Sequence, residues 1–324
     1  MAKVRLEEEV GRKLKFRDLR VFFAVVEAGS MAGAAAQLGL TQPAVSEIIA
    51  QLERLFRVRL FDRSTRGVEA TLYGQAFLAR SRAALDEMKQ SVKDMEFLTD
   101  PTAGEVHIGC AQRLSAAFLP QVVERFSRAH PRVHLQIGEE PPSVELSGLR
   151  ERKYDLVVAR LVLSRGSDVF GDDINVDVLF DDRLVVACGK NAPWARRRKI
   201  DIAELSGERW ILTAPETSNY LGIAEAFRQR GLATPETSIE TASVHIVTHL
   251  LAASPYVTAI SKIVADRLSL HVLPIDLPVE PWPAAVMTLK RRTLSPVAQR
   301  FIECAHAVAH TYCPPTHERP PTRA

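Results

Sequence analysis

EAGSMAGAAAQLGLTQPAVSEIIAQLERLFRVRLFDRSTRGVEATLYG occupies residues 27–74, and its punctuation decides the fold of the amino-terminal region. Ser30 is placed to cap a helix running to about Leu38, since its hydroxyl accepts a free amide of the first turn. Gly39 then supplies the positive φ of a tight turn. From residue 42 to 56 helical periodicity resumes, with Pro43 near the first turn and Val45, Ile48, Ile49, Leu52, Leu55 and Phe56 on the inner side. Just upstream, RDLRVFFAVVE (17–27) sets Leu19, Phe22, Phe23 and Val26 on one face of a helix that Gly29 ends. Downstream, RLFDRSTRGVEAT (59–71) reads as a hairpin with Gly67 at or near its tip.

Ala35 is small where two helices approach at a steep angle, Gly39 follows four residues later at the turn, and Val45 and Ile48 point back to the core. These are the packing demands of a helix-turn-helix, although an ordinary three-helix fragment meets them too. The outward face favours the first reading. Thr41, Gln42, Pro43, Ser46 and Gln51 are small or uncharged polar groups of the kind that reach base edges. Gln42 and Ser46 are the best base readers, and Ala44 suits a thymine methyl. Arg54, Arg63 and Arg66 sit at the helix end and hairpin, where phosphates would lie. The net charge of +3 has the same location: residues 1–98 hold 16 Lys and Arg against 13 Asp and Glu, and the remainder balances at 26 against 26.

After Gly74 a long helix is expected to about Leu98, with Leu78, Leu85, Met88, Val92 and Met95 at the spacing of a short coiled-coil seam. A helix packed on its own domain has the same spacing; dimerisation is the reading taken. TDPTAG (99–104) breaks the helix at a domain boundary. Beyond it VHIG, a helix from about Ser115, VHLQIG, a helix near 143–152 and DLVVA alternate with the βαβ rhythm of a parallel sheet. A second series follows: RLVVAC, RWILT, a helix near 217–230, SIETA, a helix near 243–253 and YVTAI. AAVMTL, a helix from Ser295 to about Tyr312 and a Pro-rich flexible tail complete the chain.

Residues 19–74 resemble the DNA-binding domain of the LysR-type transcriptional regulators, and the similarity continues through FDDRLVVACGKNAPWARRRKIDIAEL (180–205) and RTLSPVAQRFIECA (292–305). The resemblance implies an α/β multidomain chain: a winged helix-turn-helix over 1–73, a linker helix over 74–98, and a two-lobed domain of the type II periplasmic-binding kind over 99–312, with 313–324 as tail. Lobe I is expected over about 104–163 and 272–312, and lobe II over about 174–268. It also implies that Ser30, Thr41, Gln42, Pro43, Ser46, Arg63, Arg66 and Thr71 approach DNA. At the position after the recognition serine the family often carries Arg, Lys or Gln. Here it is Glu47, an acceptor that either reads cytosine or repels phosphate. The expected partners are an operator duplex, a small-molecule effector between the lobes, and other copies of the chain, as a dimer through the linker helix and a tetramer. RNA polymerase is a candidate partner, and no membrane association is expected.

Strand ends and helix amino termini that converge on a cleft favour an anion there. Ser115 follows the first strand, Thr217 and Ser218 start a helix in the second lobe, and Ser243 starts another, each being also a simple N-cap candidate. Gln112, Arg113 and Arg160 add donors near strand ends, and a guanidinium there suits a carboxylate. Arg113 fits a cleft role and a surface role equally.

The opening residues lack the apolar core of a secretory signal, no membrane-length apolar run occurs, and the four cysteines (Cys110, Cys188, Cys304, Cys313) form no CxxC or disulfide framework. A cytoplasmic protein with reduced thiols is therefore expected. No metal centre or cofactor is expected: Cys304, His306, His310, Cys313 and His317 match no standard zinc spacing, His245 and His249 lack the glutamate of HExxH, and GxGxxG and Walker motifs are missing. Cys110 and Cys188 as a redox pair lack a motif-defined electropositive setting. Two rival classes fit less well. A transporter-feeding solute-binding protein would need an export signal, and a small-molecule enzyme would need a nucleophile–base constellation that the sequence does not display.

Overall fold

A computed structural model of the chain describes residues 2–64, 67–139, 142–161 and 170–312. The chain divides at Val92/Lys93 into two units, each with its own core. The first contains α1 (Ala2–Lys13), α2 (Phe16–Ala28), α3 (Met31–Leu38), α4 (Gln42–Phe56), the antiparallel pair β1 (Phe61–Ser64) and β2 (Gly67–Ala70), and most of α5 (Leu72–Thr99). Helix α1 was not anticipated. Its residues alternate charge without an apolar stripe, and one i,i+4 pair, Lys13 to Glu9 at 2.6 Å, follows from helical spacing. The core joins Val21, Phe22 and Val25 of α2 to Ala34 and Ala35 of α3, Val45, Ile48, Ile49 and Leu52 of α4, and Leu60 and Phe61 of the hairpin. Apolar periodicity thus turns three helices onto one centre, with the Phe22 ring 5.0 Å from both Phe61 and Phe77.

The helix ends have local causes. Ser30 Oγ accepts the Gly33 amide at 3.0 Å and starts α3. Gly39, at φ 66°, ends it, and the following Leu40 amide reaches back to the Ala35 carbonyl at 2.9 Å. The hairpin is docked on the end of α2: the Val68 amide donates to the Gly29 carbonyl at 2.8 Å, and a Cβ at residue 67 would stand only 2.8 Å from that oxygen. Gly67 is required by this close approach and by its φ of 133°.

The second unit begins with the last turns of α5 and holds two five-stranded mixed sheets. The first is built from β3 (Ala103–Cys110), α6 (Gln112–Ala117), α7 (Leu119–Ala129), β4 (Arg132–Glu139), α8 (Pro142–Arg150), β5 (Leu156–Arg160) and β6 (Ile174–Asp182). The second takes β7 (Leu184–Cys188), β8 (Arg209–Leu212), α9 (Ser218–Arg228), β9 (Thr237–Glu240), α10 (Val244–Ala253), β10 (Tyr256–Ser261), α11 (Lys262–Arg267) and β11 (His271–Val272). The chain then returns to the first sheet as β12 (Trp282–Leu289) and α12 (Pro296–Ala309). Strand orders are β4-β3-β5-β12-β6 and β11-β7-β10-β8-β9. The βαβ rhythm produces the parallel pairs β3/β4, β3/β5, β8/β9 and β8/β10, while β12 and β7 join antiparallel to them and carry the antiparallel edge strands β6 and β11.

The lobe boundaries differ from expectation. Residues 174–182 belong to the first sheet as β6, paired with β12, and not to the second lobe. Residues 271–272 pair with β7 in the second lobe, where Leu273 is also buried, so the first lobe resumes only at β12. The cause is a long-range pairing that local periodicity does not encode. Among the described residues no helix is long and apolar enough to cross a membrane.

Candidate functional site

Helix α4 sorts its residues by face. Val45 and Ile49 are completely buried and Ile48 and Leu52 nearly so, whereas Thr41, Gln42, Pro43, Glu47, Gln51 and Arg54 are exposed and Ser46 half-buried. Thr41 Oγ1 caps the helix by accepting the Ala44 amide at 3.4 Å, which leaves Gln42 and Pro43 on an outward first turn. Glu47 is engaged: Oε1 accepts from Gln51 Nε2 at 3.1 Å and from Arg54 Nη2 at 2.6 Å. The Gln51 hydrogen bond, then the Arg54 hydrogen bond and charge, hold the Glu47 carboxyl below its ordinary range. The sequence did not disclose that this carboxylate neutralises Arg54, one of the groups assigned to phosphates.

The hairpin is tied to the same helix. Glu53 Oε1 accepts the Leu60 and Phe61 amides at 2.8 and 3.2 Å, and Arg63 is exposed on β1 opposite Val68. Arg66 lies outside the described residues. Two positions carried over from the family resemblance have local work: Ser30 caps α3, and Thr71 Oγ1 donates to the Arg59 carbonyl at 2.7 Å and accepts the Gly74 amide at 3.1 Å, starting α5. Along α5, Leu78 and Leu85 are half-buried, but Met88, Val92 and Met95 are 50%, 52% and 68% exposed, so the carboxyl-terminal half of the stripe is not covered by its own chain. The last turns of α5 are held within the second unit, by Lys93 Nζ 3.4 Å from Asp155 Oδ2 and by the Arg300 guanidinium 4.8 Å over the Phe97 ring.

Between the lobes a second set of polar groups meets. Arg160, at the end of β5, and Arg113, on α6, converge from the first lobe on Asn219 of α9. Nη1 of Arg113 and Nη2 of Arg160 donate to the one Asn219 Oδ1, at 3.2 and 3.4 Å. Arg160 Nη1 stands 3.7 Å from Asp182 Oδ2, and the guanidinium lies 4.9 Å over the Trp282 ring. Asp182, at the end of β6, accepts Ser261 Oγ at 2.5 Å and the Ile263 amide at 3.5 Å. Burial lowers Arg113 to about 10 with the Arg160 charge adding to it, lowers Arg160, and raises Asp182 against the attraction of Arg160. The guanidiniums remain protonated at neutral pH. Two guanidiniums, that of Arg160 buried and that of Arg113 half-buried, thus stand against one carboxylate, which is paired with Arg160. Arg160 Nη1 and Asn219 Nδ2 are buried with no hydrogen-bond partner among the described residues. A cavity of about 20 Å³, room for roughly one water, opens beside Arg113 with Thr213, Thr241 and Thr258 in its wall.

Of the expected effector contacts, Arg113 and Arg160 are brought together on Asn219 at the inter-lobe face. Ser115 is corrected: α6 starts at Gln112 with Ala111 as its N-cap, so Ser115 lies inside the helix, its Oγ 2.7 Å from both the Gln112 carbonyl and Glu139 Oε1. It presents no helix amino terminus to a ligand. Gln112 is exposed and Ser218 half-buried. Thr217 is the N-cap of α9, accepting the Tyr220 amide at 3.4 Å and donating to the Ala214 carbonyl at 2.8 Å, and Ser243 caps α10 through the Ile246 amide at 3.4 Å. Asn219, Asp182, Ser261 and Trp282 were missed. Asn219 alone had a local signal, as an amide just inside the helix that Thr217 begins.

Other candidates resolve locally. His306 Nε2 pairs with Asp177 Oδ2 at 2.7 Å. Cys110 and Cys188 are fully buried, and burial pushes the Cys188 thiol up to about 11, away from reactivity. Cys313 and His317 lie outside the described residues.

Comparison with known proteins covers both units. Residues 16–75 match the model of the bacterial regulatory helix-turn-helix protein, lysR family, and residues 99–309 match that of the LysR substrate binding domain. The chain is 28% identical over 246 residues to the HTH-type transcriptional regulator TdcA of Escherichia coli K12, covering 76% of this chain and 77% of that protein. It is 26% identical to the HTH-type transcriptional regulator GbpR of Azospirillum brasilense, covering 92% and 88%. In structure it is similar to a full-length OxyR point variant from Pseudomonas aeruginosa, with TM-score 0.65, 20% identity and 95% and 100% of the two chains covered. Crystal structures of CbnR, a LysR family transcriptional regulator, align over 91% of this chain, with TM-score 0.60 and 20% identity alone (99% of that chain) and 0.51 and 21% in complex with target DNA (100%). At these identities the structures establish the shared fold.

Proposed function

The chain belongs to the LysR family of DNA-binding transcriptional regulators, and from that premise we propose how its residues divide the work of recognition, pairing and effector binding. Helix α4 enters the major groove with Gln42 and Ser46 toward base edges, and Arg63 and Arg54 fall toward phosphates. The observation that carries this is the sorting of α4, on which Gln42, Glu47, Gln51 and Arg54 are exposed and Ser46 half-buried while Val45, Ile48, Ile49 and Leu52 hold it on the core. Helix α5 pairs with that of a second copy through Leu85, Met88, Val92 and Met95, and two such dimers form a tetramer. A small anionic effector binds between the lobes at Arg113 and Arg160, a reading supported by the two guanidiniums that stand there against one carboxylate. The protein acts in the cytoplasm, and its output passes to RNA polymerase.

Because a coupling of only about 1–3 kcal/mol suffices for effector control, modest rearrangement of the lobes would be enough. The test of the recognition reading is fluorescence anisotropy with an operator duplex and a random duplex. Gln42→Ala and Ser46→Ala should mainly erase the preference for operator, worth about 1–3 kcal/mol per bidentate pair. Arg63→Ala should weaken both duplexes alike. Equal losses on both duplexes for Gln42→Ala would contradict base reading by that residue.

A further inference from the structure

We infer that Asn219 is a built-in stand-in for the effector's carboxylate: its amide oxygen latches the lobes together without ligand, and a small monocarboxylate displaces it. The inference rests on the reading of the inter-lobe crevice as the effector site and adds how that site is occupied and released.

Asn219 is 1% exposed and comes from the second lobe, whereas both guanidiniums that reach it come from the first. A single neutral oxygen accepts from both at 3.2 and 3.4 Å, long contacts for a site holding two cations. A carboxylate has two oxygens and a charge, and its guanidinium hydrogen bonds run at about 2.7–2.9 Å and about twice the strength. Asp182 does not meet the need. It stands 3.7 Å from Arg160 and is held by Ser261 and the Ile263 amide. Arg160 Nη1 and Asn219 Nδ2, both buried without a hydrogen-bond partner among the described residues, are donors that a second acceptor would satisfy.

Charge and space define the ligand class. Arg113 and Arg160 against Asp182 leave one positive charge, which a monoanion balances. Asn219 Oδ1 already occupies the point on which both guanidiniums converge, so a carboxylate bound to both takes its place, which requires α9 to give way. Trp282 under Arg160 keeps that guanidinium oriented for the exchange. The apo latch and the liganded clamp thus use the same two arginines, and ligand entry changes which lobe element they hold.

The test uses the full chain and melting curves in sodium formate, acetate or benzoate, each against sodium chloride at matched ionic strength. Wild type should show a dose-dependent rise with at least one carboxylate. Asn219→Asp, equal in volume and carrying its own carboxylate, should melt higher in chloride and lose that rise. Asn219→Ala should melt lower in chloride, keep the rise and reach half of it at lower carboxylate concentration. A rise of wild-type size in Asn219→Asp, or its loss in Asn219→Ala with native circular dichroism, would overturn the latch. No rise in wild type with any of the three salts would overturn the carboxylate class. Arg160→Met separates the two readings: a rise that persists in both Arg160→Met and Asn219→Asp places the anion elsewhere, whereas a rise lost only in Arg160→Met leaves the crevice as the site and removes the latch alone.

Discussion

Glu47→Gln is the substitution whose outcome the α4 surface specifies most closely. Glu47 and Arg54 are 57% and 63% exposed and joined at 2.6 Å, so in the free chain the pair presents no net charge to DNA. A neutral amide at position 47 would lose the ionic hold on Arg54 and leave one extra positive charge at the helix end. A freed arginine on a phosphate adds about 0.9 to the slope of log K against log salt. Two DNA-binding domains in a dimer would therefore steepen the slope by about 1.8, so the variant loses about twelvefold more affinity than wild type between roughly 50 and 200 mM salt. Random duplex should gain affinity at low salt, and any preference for cytosine opposite this position should weaken, since glutamine favours adenine. Anisotropy titrations at several salt concentrations measure both effects. An unchanged slope, with native melting behaviour, would show that Arg54 does not reach phosphate and that the pair is only a solvated surface bridge.

Met88→Glu should leave the single chain folded, because Met88 is half exposed there, yet sedimentation should show loss of the dimer; an unchanged mass would mean α5 does not form the seam. Arg292→Met should strip Asp155 of its buried 2.8 Å partner and lower stability in urea by about 3–5 kcal/mol; a loss of under about 1 kcal/mol would show that Lys93 and the His107 amide compensate that carboxylate without it. An aromatic disulfide reagent at neutral pH should leave Cys110 and Cys188 unlabelled in the native protein, since both are fully buried and the Cys188 thiol is raised to about 11; rapid native labelling at either would contradict that burial.

The features that were legible in the sequence are those with local causes. Ser30, Thr217 and Ser243 cap helices as their residue type suggests, and Gly29 and Gly39 end helices at positive φ. The buried face of α4 follows from 3.6-residue periodicity, which also leaves Gln42 and Glu47 outward. Hidden were the features made by distant partners. Pairing of β6 with β12 moved a whole strand between lobes, and the start of α6 at Gln112, unmarked by any capping side chain, moved Ser115 off a helix end. Arg160 was recognisable as a strand-end cation, but its neighbours Asn219, Asp182 and Trp282 come from three separate stretches that only the tertiary fold assembles. The Glu47–Arg54 pair lay between these extremes: its i, i+7 spacing is readable on a helix, but the choice of Arg54 over a phosphate required the side-chain geometry.

The central claim, that the outward face of α4 reads sequence, is tested most directly by selecting fragments of genomic DNA bound by the purified full-length chain and comparing the selections of wild type and Gln42→Ala. Wild type should retrieve a discrete set of fragments sharing a short motif, repeated with dyad symmetry at a separation of about one helical turn, some 34–36 Å, or a multiple of it. Gln42→Ala should still retain DNA but relax the preference at one base pair of each half-site. Retrieval of fragments with no shared motif by wild type, or an identical motif from the variant, would contradict the claim.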